Sequence, residues 1–259
     1  MHPLGPGPRN AWQVDEAQCD LRRARRPSSP GWYVAAQPQN LVVDPERVGL
    51  IVIDMQNDFC HPAGWLASIG ADVTAARVPI EPLRRLLSAW RTTSAPVVWC
   101  NWGNRADRAN LPPGVLHVYN PDGRGTGLGQ QLAGAGPVLE AGSWGAAVVD
   151  ELRPCPEDVV VDKYRMSGFW DTPLDSILRN LGVRSILFAG VNTDQCVLHS
   201  LTDANFLGYG CIMLQDCCAT TSPDFCTLAT LWNVKRCFGF VSDSGRLLEA
   251  VSGYLAGTG

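Results

Sequence analysis

The sequence predicts an α/β fold, a three-layer α/β/α sandwich around a central, mostly parallel six-stranded sheet. Two patterns carry this reading. Runs such as Val48–Ile53 are apolar and β-branched with no polar alternation, as a strand covered on both faces requires. Between these runs lie stretches whose apolar residues recur at helical spacing. Strand and helix therefore alternate along the chain, which calls for crossover connections and a parallel sheet.

The elements follow in order. After Val48–Ile53, the residues Leu83, Leu86, Leu87 and Trp90 form a helical stripe behind Pro82, a residue suited to a helix's first turn. Pro96–Cys100 reads as the second strand. The Gly-, Pro- and Asn-rich segment Asn101–Gly142 is too long for a simple connection and suggests a lid, a binding loop or an oligomer contact. Val159–Val161 is the third strand. Thr172-Pro173-Leu174-Asp175 resembles a capped helix start, Leu174, Ile177, Leu178 and Leu181 form its buried stripe, and Gly182 ends it. Ser185–Ala189 is the fourth strand, Asp194–Leu207 a helix closed by Gly208, and Cys211–Leu214 the fifth strand. Ser222-Pro223 opens a helix expected to turn Phe225, Leu228, Ala229 and Trp232 inward. A strand at Phe238–Val241 and a helix at Ser244–Leu255 complete the chain. Residues 1–46 read as a Pro/Arg-rich arm, and 47–259 as one domain.

Composition removes several function classes. With 259 residues, 46% of them hydrophobic, the chain is long enough to bury a sizeable core. A formal net charge of −4 offers no basic field for nucleic acid. No apolar run approaches the ~20 residues a membrane helix needs. Ten scattered cysteines, several inside apolar runs, form neither a CxxC pair nor a zinc cluster. They suit reduced thiols, so a cytoplasmic location is expected. Arg22–Arg26 is not followed by the apolar stretch of an export signal.

In parallel sheets, ligands bind beyond the carboxyl ends of the strands. Three reactive side chains stand there: Asp54 after Ile53, Lys163 after Val161-Asp162, and Cys196 on the turn after the fourth strand. An acid, an ammonium and a thiol at one sheet edge suit nucleophilic catalysis. The helix start and the ammonium would favour a thiolate, and Asp54 would accept the thiol proton and return it to a leaving nitrogen. Amides of the turn before Cys196 would face a developing oxyanion. The reaction class is acyl transfer to water through a thioester.

Ile51-Val52-Ile53-Asp54-Met55-Gln56-Asn57-Asp58-Phe59, Lys163, and Gly190-Val191-Asn192-Thr193-Asp194-Gln195-Cys196-Val197 resemble the three signature segments of the isochorismatase-like cysteine hydrolases. The resemblance runs from about Pro45 to Val251. It implies Asp54 as general base, Lys163 as its partner and Cys196 as nucleophile. It also implies a cis peptide between Val191 and Asn192, and an oxyanion hole built from the Asn192 and Cys196 amides. Gly142-Ser143-Trp144, Val149–Leu152 and Ser167–Arg179 are most similar to the ureidoacrylate amidohydrolases, with the biuret, triuret and N-carbamoylsarcosine hydrolases as related groups, whereas Trp99–Arg105 departs from the ureidoacrylate pattern. The expected activity is hydrolysis of a C–N amide bond in a small ureido or carbamoyl compound, releasing ammonia or carbamate. A nicotinamidase-like amide hydrolase and a catalytically silent small-molecule binder on the same fold are the alternatives. Neither cofactor nor metal is expected, and relatives imply a homodimer or homotetramer.

Position nominates Asn101, Trp102 and Arg105, just past the second strand, for a planar ureido group bearing a carboxylate. Gln56 and Asn57 either line the pocket or orient Asp54. Phe169 is a further substrate-binding candidate, with core or subunit packing as its alternative. His199 lies at i+3 from Cys196 and is not expected to reach a thiol at the helix mouth. Gly123–Gly129 follows no strand and does not fit a nucleotide-binding loop. Cys217-Cys218, the basis of a redox alternative, lacks dithiol spacing.

Overall fold

A computed structural model describes residues 2–6, 12–16, 19–20 and 31–255; Arg22–Arg26 fall outside them. Six strands form the central sheet: β1 (Val48–Ile53), β2 (Val97–Trp102), β3 (Val159–Lys163), β4 (Ser185–Val191), β5 (Gly210–Ala219) and β6 (Phe240–Ser242). Their spatial order is 3-2-1-4-5-6, and every neighbouring pair is parallel. All of β1 and β2 is buried, which explains why neither shows polar alternation.

Side-chain alternation along β1 splits the core into two layers. Val48, Leu50 and Val52 point to one face and meet α1 (Ile80–Trp90) and α5 (Ser244–Leu255). Ile51 and Ile53 point to the other and meet α2 (Leu174–Asn180) and α3 (Leu198–Phe206). In α1 the expected stripe Leu83, Leu86, Leu87 and Trp90 is buried. Gly182 and Gly208, at φ 73° and 90°, stand just beyond α2 and α3, where the turn out of a helix needs a left-handed residue.

The second half of the arm lies on the chain's own domain. Trp32–Val34 and Leu41–Val43 form an antiparallel hairpin. Trp32 is buried edge-on against Trp90 at 5.4 Å. Gln37 and Val241 exchange two backbone hydrogen bonds of 2.9 Å, so this segment caps the β6 edge of the sheet. Residues His2–Leu4, Trp12–Val14 and Cys19–Asp20 pair as a separate antiparallel ribbon.

One expectation is corrected. The helix after Ser222-Pro223, α4 (Asp224–Asn233), turns Phe225, Leu228 and Trp232 outward at 69%, 67% and 58% exposure, and Ala229 is exposed as well. Its inner stripe is Cys226, Thr227, Thr230 and Leu231, continued by Val234. This stripe also has helical spacing, and α4 lays it over the turn bearing Cys196 and the segment that follows α4. Sequence periodicity alone does not say which of two overlapping stripes meets the core.

Because Trp90 fills the junction of α1, the hairpin and the sheet, Trp90→Ala is expected to lower the unfolding free energy by about 3–5 kcal/mol. Urea denaturation followed by circular dichroism measures it; a loss under about 1 kcal/mol would contradict the packing described.

Candidate active site

The strand order reverses direction between β1 and β4, the switch point where parallel sheets open a crevice. Asp54 leaves β1 there with φ 51°, a left-handed conformation that aspartate tolerates better than bulky residues. Gly190 of β4 has φ 118°, and a Cβ on it would run into the Ile53 carbonyl, so only glycine lets the two strand ends approach this closely. The Val191–Asn192 peptide that follows is cis, and Thr193–Val197 form one wide π-type turn before α3. Lys163, the last residue of β3, reaches across β2 to both.

The three side chains meet. Lys163 Nζ lies 2.7 Å from Asp54 Oδ2 and 3.3 Å from Cys196 Sγ, and donates to the Arg165 carbonyl at 3.2 Å. It also sits over the Trp102 ring at 4.7 Å. Burial drives the Asp54 carboxyl above the usual carboxylate range, although the Lys163 charge pulls it down. Burial also raises the Cys196 thiol; the Asp54 charge raises it further, and Lys163 only partly offsets them. For Lys163, burial disfavours the charge, but Asp54 outweighs it and the ammonium is held. One ammonium faces two acids and sits closer to the carboxylate. Burial thus opposes the charged form of both Asp54 and Cys196, and Lys163 opposes burial at both. The helix start and Lys163 favour a thiolate at Cys196, while burial and Asp54 oppose one.

A small cavity opens over Cys196. Asp54, Trp102, Asn192, Gln195 and Met166 line its base, with Phe59, Trp65, Val118, Tyr119, Leu128 and Leu139 around them. The long segment after β2 thus supplies Val118, Tyr119, Leu128 and Leu139 to the cavity wall. Tyr119 Oη donates to Gln195 Oε1 at 2.7 Å and stands edge-on to Trp65 at 5.9 Å, and Trp65 Nε1 donates to the Thr126 carbonyl at 2.7 Å. Sequence reading named that segment but not Tyr119, because nothing local marks which of its side chains returns to the site.

Among the nominated pocket residues, Trp102 lines the cavity, as the last residue of β2 rather than a loop residue. Asn101 is buried within the same strand and does not reach the cavity. Arg105 is corrected: its side chain is 64% exposed and paired with Asp107 at 2.6 Å, outside the cavity. Phe169 packs instead beside Tyr209 at 6.1 Å.

Gln56 and Asn57 neither line the cavity nor touch Asp54 through their side chains, because their amides are committed to backbone. Gln56 donates to the Trp102 and Ala146 carbonyls at 2.7 and 2.6 Å and accepts from Trp102 N at 2.8 Å. Asn57 donates to the Trp144 carbonyl at 2.8 Å. The neighbouring Asp58 carboxylate accepts from Trp65 N and Leu139 N at 3.0 and 2.8 Å, tying two cavity walls together. His199 Nδ1 lies 2.7 Å from the Gln195 carbonyl. Cys217 and Cys218 point into opposite core layers, which leaves the pair no dithiol geometry.

This site and sheet define a three-layer α/β protein with an acid–ammonium–thiol centre at its switch point. The isochorismatase domain matches residues 48–245, and the chain belongs to the isochorismatase family. Among solved structures it resembles a cysteine hydrolase from Pseudomonas syringae pv. phaseolicola, with 24% identity and a TM-score of 0.70 over 89% of this chain and 100% of the other. An N-carbamoylsarcosine amidase from Thermoplasma acidophilum is similar at 26% identity and a TM-score of 0.60, covering 76% of this chain and 96% of its own. An isochorismatase-like hydrolase from Alkaliphilus metalliredigens matches at 25% identity and a TM-score of 0.63, over 79% and 98%.

The charge order has a testable sign. Since Asp54 raises the thiol, Asp54→Asn leaves Cys196 facing the ammonium alone, and its alkylation by iodoacetamide at pH 7 is expected to speed up. Mass spectrometry of the Cys196 peptide reads this directly. Slower alkylation would mean that Asp54 does not oppose the thiolate.

Proposed function

We propose that the protein is a cysteine amidohydrolase that cleaves a C–N amide bond of a small ureido or carbamoyl compound through a thioester. The observation that most supports this reading is the contact of one buried ammonium with both Asp54 and Cys196, at 2.7 and 3.3 Å. The carbamoyl class is supported by the likeness to N-carbamoylsarcosine amidase. The part of the chain from Cys60 onward carries nine cysteines, all free thiols, as a reducing cytoplasm would keep them.

In this mechanism substrate enters over Cys196, and the thiol proton passes to Asp54 as sulfur attacks the carbonyl carbon. The Asn192 and Cys196 amides receive the oxyanion. Its collapse breaks the C–N bond, and the leaving nitrogen takes the proton from Asp54. Water then gives a proton to Asp54 and attacks the thioester. The C–S bond breaks, Asp54 returns the proton to sulfur, and the acyl group leaves as its acid, which is carbamate when a carbamoyl group was attached; the ammonia or amine has already left with the C–N bond. Lys163 stays charged throughout, so each intermediate retains a counter-ion. Trp102 supplies a flat face for a planar ureido group.

The aromatic wall of Phe59, Trp65, Trp102 and Tyr119 favours a second reading within the same chemistry, a nicotinamidase-like amidase taking a ring-bearing amide. A binder without catalysis is disfavoured by the intact reactive set.

Ammonia release from ureidoacrylate, biuret, triuret, N-carbamoylsarcosine and nicotinamide separates these readings. Turnover of a ureido or carbamoyl compound is expected, with Cys196→Ala reducing it to background. Turnover surviving in Cys196→Ala would sink the mechanism, and turnover of nicotinamide alone would move the substrate class to the aromatic reading.

A further inference from the structure

We infer that Tyr119 is the gate residue of the cavity: its side chain closes the space over Cys196 by a latch onto Gln195, and so determines which molecules reach the thiol. Of the described residues that line the cavity, Tyr119 alone is exposed, at 40%, whereas Trp65, Trp102 and Cys196 are 1%, 3% and 5% exposed. The ring therefore stands where the cavity meets solvent. Its hydroxyl donates to Gln195 Oε1 at 2.7 Å, and Gln195 is the residue that precedes Cys196. Burial holds the Tyr119 phenol above its ordinary range, so the hydroxyl stays a donor at neutral pH.

Both ends of the latch are anchored, and the ring between them is not. Asn120, next to Tyr119, is buried, and its amide exchanges hydrogen bonds of 3.0 and 3.2 Å with the Gly125 backbone. The chain beneath the ring is thereby tied to the Gly123–Gly129 loop. Tyr119 itself takes φ 54°, a left-handed conformation that an aromatic residue rarely adopts and that its surroundings must hold. At the receiving end, Gln195 Nε2 donates to Ser222 Oγ at 3.3 Å, and Gln195 Oε1 also accepts from Asn192 Nδ2 at 3.4 Å. The ring is held between them by one hydrogen bond and its edge contact with Trp65. An exposed side chain changes rotamer quickly and without moving its backbone, so breaking the latch is enough to open the cavity. The net worth of one neutral hydrogen bond amounts to about a 2- to 10-fold bias toward the closed position. The consequence for substrate size rests on the amidohydrolase reading above; access to the thiol does not.

Alkylation of Cys196 in the intact chain, by iodoacetamide and by the bulkier N-phenylmaleimide, tests this, with mass spectrometry following the Cys196 peptide. Tyr119→Phe keeps the ring and removes the latch, and is expected to speed the reaction with N-phenylmaleimide about 2- to 10-fold. Tyr119→Ala removes the ring as well, and is expected to raise the rate ratio of N-phenylmaleimide to iodoacetamide by about tenfold or more. A merely structural role would move both reagents together and leave that ratio where it is in the native chain. Gln195→Leu is expected to match Tyr119→Phe, and adding Tyr119→Phe to it is expected to change nothing further. Thermal unfolding by circular dichroism shows that each variant is folded. An unchanged ratio in folded Tyr119→Ala, or no acceleration in folded Tyr119→Phe, would overturn the gate. Effects of Tyr119→Phe and Gln195→Leu that simply multiply would overturn the latch between them. The readout is the thiol alone, so silence across the amide panel would count against the proposed function and leave the gate standing.

Discussion

A single buried ammonium holds the centre of this molecule together. Lys163 has no exposed surface, so its charge persists only because Asp54 lies 2.7 Å away. The same charge makes a second anion at Cys196 conceivable, but one cation cannot fully stabilise two anions at once. The proton shared by Asp54 and Cys196 therefore has two places to rest, and the mechanism proposed above moves it between them. The surroundings serve that arrangement: β3 delivers the lysine, the end of β1 the acid, and the turn after β4 the thiol. The close approach of Gly190 to Ile53 brings the last two within reach of the first.

Around that centre, hydrogen bonds from buried side chains to backbone hold the architecture together. Gln56, Asn57 and Asp58 are consecutive, and each spends its side chain on the backbone of a different distant segment. Gln56 clamps the end of β2 and Ala146, Asn57 holds Trp144, and Asp58 joins Trp65 to Leu139. A buried amide or carboxylate left without such partners would be costly, so the motif and the walls it holds depend on each other. The cavity is in consequence apolar and aromatic around a polar floor. For the small planar amide proposed above, orientation would come from ring faces and a few fixed donors.

The face of α4 shows a different economy. A helix that lays Thr230 and Cys226 inward and Trp232 outward contributes little to the core. Its value lies in supporting the Cys196 turn on one side and offering an apolar stripe on the other.

The order of elements, the two-sided burial of β1 and β2, and the convergence of Asp54, Lys163 and Cys196 were all legible in the chain, because they follow from local periodicity and from the rule that parallel strands present ligands at one edge. The helix from Ser244 to Leu255 and the stripe of α1 were legible for the same reason. Local pattern could not say which of two overlapping stripes α4 would bury, since both satisfy helical spacing. Nor could it say that Arg105 would pair with Asp107, that Gln56 would face backbone, or that Tyr119, far along an irregular segment, would return to the cavity. It pointed to a helix start and a lysine, both of which favour a thiolate; only the tertiary structure shows burial and Asp54 set against them. The charge of a buried group depends on every neighbour within a few ångströms, and Asp54 becomes the nearer claimant on Lys163 only once the sheet has brought three strand ends together.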